Sequence, residues 1–162
     1  MLRFAFIPRF KSWVFPLTFI IDGKNLLLKK ATRGISKGKW NGLGGKLDPG
    51  ETPEECANRE VFEESGLSLK EIFYHGIINF YDFGSGEATW KGHIFSSRSF
   101  SGSLKESDEG PLKWFDIEDL PWSEMWEDDR KWLPYLLSGK RFNAEVYFDE
   151  NGDVSRCDII VH

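Results

Sequence analysis

Three glutamates, Glu60, Glu63 and Glu64, stand within five consecutive positions of the stretch REVFEESGL, residues 59–67. On a helix of 3.6 residues per turn, neighbours three and four apart share a face, so these carboxylates fall within a sector of roughly 100°. Like charges one turn apart cost about 0.2 to 0.5 kcal/mol per pair, which a merely solvated acidic face tolerates without return. A hard divalent cation would relieve that repulsion. Mg²⁺ prefers carboxylate oxygen and keeps several waters, one of which it can present as a nucleophile. Arg59 offsets part of the charge, standing four residues after Glu55 and four before Glu63.

The helix that must carry these groups is well marked. Thr52 followed by Pro53, Glu54 and Glu55 makes a capping box, with proline at the tolerated first position, and Gly66 is a natural stop. Ala57 and Val61 lie beside the acidic sector and face the core. Before the helix, RGISKGKWNGLGGKLDPGE supplies Gly34, Gly38, Gly42, Gly44, Gly45 and Gly50, suited to tight turns and close backbone approach to a ligand. It is not a Walker loop, because no Ser or Thr follows Gly45 and Lys46.

Around this centre the elements alternate in type. WVFPLTFII and NLLLKK read as strands of a hairpin turning at DGKN. EIFYHGIINFYDF and TWKGHIFSSRSF read as two longer strands joined through GSGEA, and LKWFDI as a third, short one. DDRKWLPYLLSG reads as a closing helix ending at Gly139, with Pro134 a kink. The tail AEVYFDENGDVSRCDIIV reads as a hairpin; the glycine of DENGD is out of register for a calcium loop and no glutamate closes it. No repeat or linker divides the 162 residues, so we expect one domain over 1–162 with a short N-terminal extension, 1–12.

Composition removes several classes of function. A formal charge of −5 and few clustered bases argue against a general duplex-DNA binder. The two cysteines, Cys56 and Cys157, form no CxxC and have no histidine at zinc-finger spacing, which fits a reducing, cytoplasmic setting. The most apolar run, residues 14–21, contains Pro16 and ends at Asp22, far short of the roughly 20 residues that span a bilayer. The first 21 residues hold Arg3, Arg9 and Lys11 but no acid, yet Pro8 and the lack of a small-residue cleavage site argue against an import signal. His75 and His93 sit in strand-like segments without triad partners and read as structural.

Gly45, Glu51, Arg59, Glu60, Val61, Glu63, Glu64, Gly66 and Leu67 together fill G-x5-E-x7-R-E-U-x-E-E-x-G-U, where U is apolar. That pattern closely resembles the signature of the Nudix hydrolases. The resemblance implies an α/β fold, an α/β/α sandwich with a mixed central sheet and a loop-helix-loop catalytic motif. It also implies Mg²⁺-dependent attack by water on a diphosphate linked to another moiety, with Mn²⁺ able to substitute. By the same resemblance Glu60, Glu64 and the backbone carbonyl of Gly44 hold the metal and Glu63 adds a further ligand. Arg59 orients the carboxylates, Glu51 braces the loop, and Glu63 or Glu109 takes the proton.

Three further stretches, RGISKGKWNGLGGKL, ESDEGPLKWFDIEDLP and MWEDDRKWLPYLLSGKRF, resemble the MutT-homologue branch that destroys oxidised purine nucleoside triphosphates. That implies roles in base recognition. Asn41 bonds the purine edge, Trp126 stacks on it, Asp128 and Asp129 read its Watson–Crick side, Phe80 walls the pocket and Glu109 completes the metal shell. Without the resemblance, Asp128 or Asp129 would read as an N-cap of the last helix and Trp126 as core. The sequence departs from the branch at Pro16, Ile35, Asp82, Trp90 and Gly110, so the base preferred is open. Implied too are a small-molecule nucleotide substrate, no stable nucleic-acid partner, no membrane and a monomer. Other readings are cleavage of dinucleoside polyphosphates, nucleotide sugars or 5′-triphosphate RNA, and a non-catalytic nucleotide sensor, which the retained acids oppose.

Overall fold

The computed structural model describes residues 13–105, 108 and 110–162; the extension 1–12 and Glu109 lie outside the described residues. The first hairpin forms as expected. Strand β1, Trp13–Asp22, turns through Gly23, at φ 58°, and Lys24 into β2, Asn25–Lys30. Both strands are apolar on both faces. Leu17, Phe19 and Ile21 join Leu26 and Leu28 in one core cluster, while Ile20 and Leu27 point into another. Such double-sided burial is what an inner strand of a layered α/β protein requires.

The hairpin does not stay paired. Contacts between β1 and β2 run only from Ile20 and Leu27 to the turn. The earlier part of β1 pairs in parallel with β6, Trp90–Ser97, from Trp13 through Ile20. Meanwhile β2 pairs along residues 25–29 with β8, Leu112–Asp116, on its other edge. Beyond Ile20 and Leu27 the two strands part, and a wedge opens between them. The short strand β3, Trp40–Asn41, fills it by pairing with Lys29 and Lys30, and Leu43 exchanges two backbone bonds with Thr18 at 2.7 and 2.9 Å. Neither β3 nor the wedge was expected from sequence, because a two-residue strand carries no periodicity. Because the partner of β1 here is an isolated bridge, Pro16, which has no N–H to donate, is accommodated.

The remaining strands extend the sheet. β5, Phe73–Tyr81, runs antiparallel to β6 and parallel to β9, Phe142–Phe148, which forms the expected C-terminal hairpin with β10, Val154–Val161. The order is β10-β9-β5-β6-β1-β2-β3, with β8 on β2. β4, Ser68–Leu69, and β7, Phe100–Ser101, make a separate small ladder.

One helix packs on each face. α1, Pro53–Ser65, sets Val61 against Ile20, Leu27 and Leu43. α2, Asp129–Leu137, sets Trp132, Leu133 and Leu136 against Phe19 and Phe142 on the opposite face. Pro134 lies inside α2, which continues to Leu137 before ending at Ser138. The result is the expected α/β/α sandwich. His75 is buried and bonded at both ring nitrogens, to the Lys140 carbonyl and Ser96 Oγ, each at 2.6 Å, and His93 contacts the Tyr74 hydroxyl at 2.9 Å. No helix among the described residues is long and apolar enough to cross a membrane.

The capping box closes reciprocally. Glu55 N–H donates to Thr52 Oγ1 at 3.2 Å, and Thr52 N–H donates to Glu55 Oε2 at 3.3 Å. Gly66 ends the helix at φ 78°. Thr52→Ala should therefore cost about 1 kcal/mol, a fall in Tm of roughly 2 to 4 °C in a chain of this size, measured by thermal unfolding.

Candidate active site

α1 brings its glutamates to the wedge, but not equally. Glu60 and Glu64, one turn apart, are buried, whereas the Glu63 side chain is 56% exposed. The shared sector splits because Val61 anchors one side of the helix to the sheet and turns Glu64 inward. Arg59 organises the rest. Its Nε and Nη2 donate to the two oxygens of Glu51 at 2.7 and 2.8 Å, a bidentate pair, and Nη1 donates to Glu60 at 2.9 Å and Glu63 at 3.1 Å. That guanidinium lowers the Glu51 pKa from 4.5 to about 2. Glu51 also accepts from Asp48 N–H at 3.1 Å, fastening the loop to the helix.

Two glycines of the loop stand at points of close approach. A methyl group on Gly44 would collide with the Pro16 carbonyl, and one on Gly45 with the Glu60 carboxyl group. From the opposite side, Lys29 of β2 reaches Glu64, with Nζ 2.6 Å from Oε2 and its side chain only 12% exposed. Sequence reasoning missed Lys29. Its only signal was position, a lysine ending an apolar strand. Among the described residues no three His, Cys, Asp or Glu side chains converge as a metal cluster. Arg59 draws Glu63 outward, and Glu109 is not described. The donor chemistry nevertheless fits a hard divalent cation, because the buried Glu60 carboxyl group lies against the loop at Gly45 and the buried Glu64 carboxyl group stands one helical turn away.

Next to this acid site lies a cavity of about 330 Å³ that reaches from Gly44 and Lys29 to the first turn of α2. Its walls are aromatic. Phe15 stacks with Phe80, and Phe80 with Phe148, each at 6.3 Å, and Trp126 meets Phe148 edge-on at 6.1 Å. The polar groups are few. Asn41 lines the cavity and accepts from Gly42 N–H at 2.8 Å through Oδ1, and Asp128 and Asp129 lie at the base with exposures of 2% and 3%.

The aspartates do not cap α2. Asp128 occupies the N-cap position but makes no side-chain cap bond, and instead its Oδ2 accepts from Trp132 Nε1–H at 2.8 Å. Asp128 Oδ1 and Asp129 Oδ2 are buried and lack a protein partner. A buried polar atom of this kind is costly unless something else satisfies it. Burial pushes both pKa values up, and for Asp129 the charge of Asp128 pushes further. The pair thus retains a proton at a pH where isolated aspartates have lost theirs.

A model of the NUDIX domain matches residues 15–136, spanning both the acid helix and the aspartate pair. The chain belongs to the Nudix family. It is 42% identical to an oxidized purine nucleoside triphosphate hydrolase of Danio rerio, over 94% of this chain and 93% of that protein. It is 37% identical to the Mus musculus protein of the same name, over 88% and 91%. The mutator MutT protein from Bacillus halodurans shares the Nudix fold with a TM-score of 0.80 at 23% identity, covering 91% of this chain and 97% of that one. Nudix hydrolases generally use divalent metal ions.

The Nudix domain thus brings Gly44, Gly45, Glu51, Arg59, Glu60, Glu63 and Glu64 together at one end of the wedge, and Asn41, Phe80, Trp126, Asp128 and Asp129 at the other. Of the positions expected to alter the pocket, Pro16, Ile35 and Trp90 line it. Asp82 and Gly110 do not. Asp82 accepts from Phe83 N–H at 2.8 Å, and Gly110 lies against the Lys30 carbonyl, too closely for any side chain. Trp132 and Phe148 were not anticipated, since each belongs to an element whose apolar pattern reads as ordinary core. The cysteines are inert, burial raising Cys56 to about 12 and Cys157 to about 11.

A raised folded-state pKa means that the aspartates favour the fold most below their ordinary value of 3.8, and that this contribution is lost as pH rises through the folded-state value. Asp129→Asn should therefore melt higher than the parent at pH 8, with the difference shrinking towards pH 4. Each kcal/mol corresponds to roughly 2 to 4 °C. Melting curves across that range measure it, and a difference independent of pH contradicts the assignment.

Proposed function

We propose that this chain hydrolyses oxidised purine nucleoside triphosphates, such as 8-oxo-dGTP or 2-oxo-dATP, to the monophosphate and pyrophosphate, with Mg²⁺ as the working ion and Mn²⁺ as a substitute. The observation that carries the reading is the buried aspartate pair, with two oxygens lacking protein partners, in an aromatic cavity that is also lined by Gly44, Gly45 and Lys29, the neighbours of the acidic helix. With one carboxyl group protonated, the pair offers a donor beside an acceptor, which suits the Watson–Crick edge of an altered purine. Trp126 stacks on the base, Phe80 walls it, and the Asn41 amide, whose oxygen is engaged by Gly42, offers its NH₂ to the purine. The names of the Danio rerio and Mus musculus relatives support the same class of substrate.

Glu60, Glu64 and the Gly44 carbonyl hold the cation, joined by Glu63 and by Glu109. When bound, the ion neutralises phosphate charge and lowers the pKa of the attacking water. Arg59 keeps Glu60 and Glu63 in place, Glu51 keeps Arg59 in place, and Gly66 ends the helix beyond them. Lys29, bordering both halves of the site, sets a positive charge where base and phosphates join. Water adds to phosphorus, the bridging P–O bond breaks, and the proton of the water passes to Glu63 or Glu109. We further propose that the protein works as a single Nudix domain, a cytoplasmic monomer without a nucleic-acid partner. Two free thiols and a net charge of −5 support that setting.

Glu60→Gln or Glu64→Gln should lower kcat by about 100-fold or more with the fold retained, and near-parental turnover would sink the metal-site assignment. The substrate is tested by a Mg²⁺-supported comparison of normal and modified nucleoside triphosphates with dinucleoside polyphosphates, nucleotide sugars and 5′-triphosphate RNA. Preference for an oxidised purine triphosphate with release of pyrophosphate is expected. Preference for any of the last three contradicts it. Asp128→Asn should reorder kcat/KM among modified bases more than it alters metal dependence, and an unchanged order removes Asp128 from base recognition.

A further inference from the structure

Trp126 belongs to no helix or strand; it lies between a 3-10 turn, Trp122–Glu124, and α2. Its ring orientation is therefore decided by what the ring touches rather than by a regular backbone. Two of those contacts come from the loop between β2 and β3, residues 31–39. The indole Nε1–H donates to Ser36 Oγ at 3.0 Å, and Lys39 Nζ stands 5.0 Å from the ring centroid. The loop can hold such positions because it is tied to itself. Gly38 N–H donates to the Ala31 carbonyl at 2.8 Å, Ala31 N–H to Lys39 at 3.1 Å, and Lys39 N–H to Ser36 at 2.8 Å. Ser36 and Ile35 line the cavity, and Lys39 does not. Lys39 thus stands over one face of the indole, while Phe148 meets the ring edge-on.

We propose that Ser36 and Lys39 are positioning residues that lock the Trp126 indole in its base-stacking orientation, making the 31–39 loop a determinant of purine affinity. The inference rests on reading the cavity as the purine site. A tryptophan free to change rotamer must lose that freedom when a base stacks, and a ring already pinned has less to lose. Hydrogen bonding at the ring edge and a cation over one face leave the other face for the ligand. Lys39 also brings its charge towards Asp129, so a change there carries two effects. Ser36 isolates the positioning effect.

The test compares the parent with Ser36→Ala and Ser36→Thr, using 8-oxo-dGMP and, separately, pyrophosphate with Mg²⁺ as probes in titration calorimetry. Ser36→Ala should raise Kd for the monophosphate by about three- to tenfold, the effect of one neutral hydrogen bond, and leave Kd for pyrophosphate unchanged. Ser36→Thr, which keeps the hydroxyl, should restore the parental Kd. In turnover of 8-oxo-dGTP, Ser36→Ala should raise KM and spare kcat. If the parent binds the monophosphate and Ser36→Ala matches it, or if both probes weaken equally, the positioning role is overturned and the purine reading stands. A parent that does not bind the monophosphate overturns both.

Discussion

The site depends on a disagreement between two strands. β1 pairs with β6 along one edge and β2 with β8 along another, while the two edges that face each other pair only beside the shared turn and then part. Backbone groups along the resulting gap must be satisfied, and β3 and Leu43 do that. They also bring in Asn41 and the glycine loop. Everything chemically distinctive in the molecule is arranged around that wedge, with the acids of α1 on one side of the sheet and the aspartates of α2 on the other. Only glycine at 44 lets the chain pass so close to the Pro16 carbonyl, and glycine at 45 leaves the Glu60 carboxyl group its place.

The same wedge holds buried carboxyl groups by two opposite electrostatic means. On the α1 side the acids are paired with cationic side chains. Arg59 binds Glu51, Glu60 and Glu63, and Lys29 binds Glu64, so a cluster that would otherwise repel itself is preassembled with opposite charges in contact. On the α2 side burial outweighs solvation, and the Asp128–Asp129 pair keeps a proton. The first arrangement suits a place where cations and phosphates meet. The second suits a place where a neutral, patterned edge is read, because a protonated acid and a carboxylate discriminate by hydrogen bonding rather than by charge.

Much of the α1 side was legible in the sequence because its determinants are local. Thr52 with Glu55, Gly66 at the stop, and Arg59 four residues from Glu63 act within one or two helical turns, where spacing alone dictates neighbours. The sandwich was legible too, through the resemblance carried by the pattern from Gly45 to Leu67. Legibility stops where contacts are long-range. Lys29 meets Glu64 only because β2 passes under α1, and Ser36 meets Trp126 across 90 residues. Likewise the depth of Glu64, set against the exposure of Glu63, depends on how Val61 seats the helix. The departures at Asp82 and Gly110 look like pocket changes in sequence but fall on a turn and a strand edge.

The central claim is that one substrate occupies both sides of the wedge at once. A crystal structure with Mg²⁺ and a non-hydrolysable 8-oxo-dGTP analogue tests it most directly. The purine edge is expected on Asp128 and Asp129, its face on Trp126, and the phosphates with their cation at Glu60 and Glu64. A base seated outside the aromatic cavity, or a cation held away from α1, would contradict it.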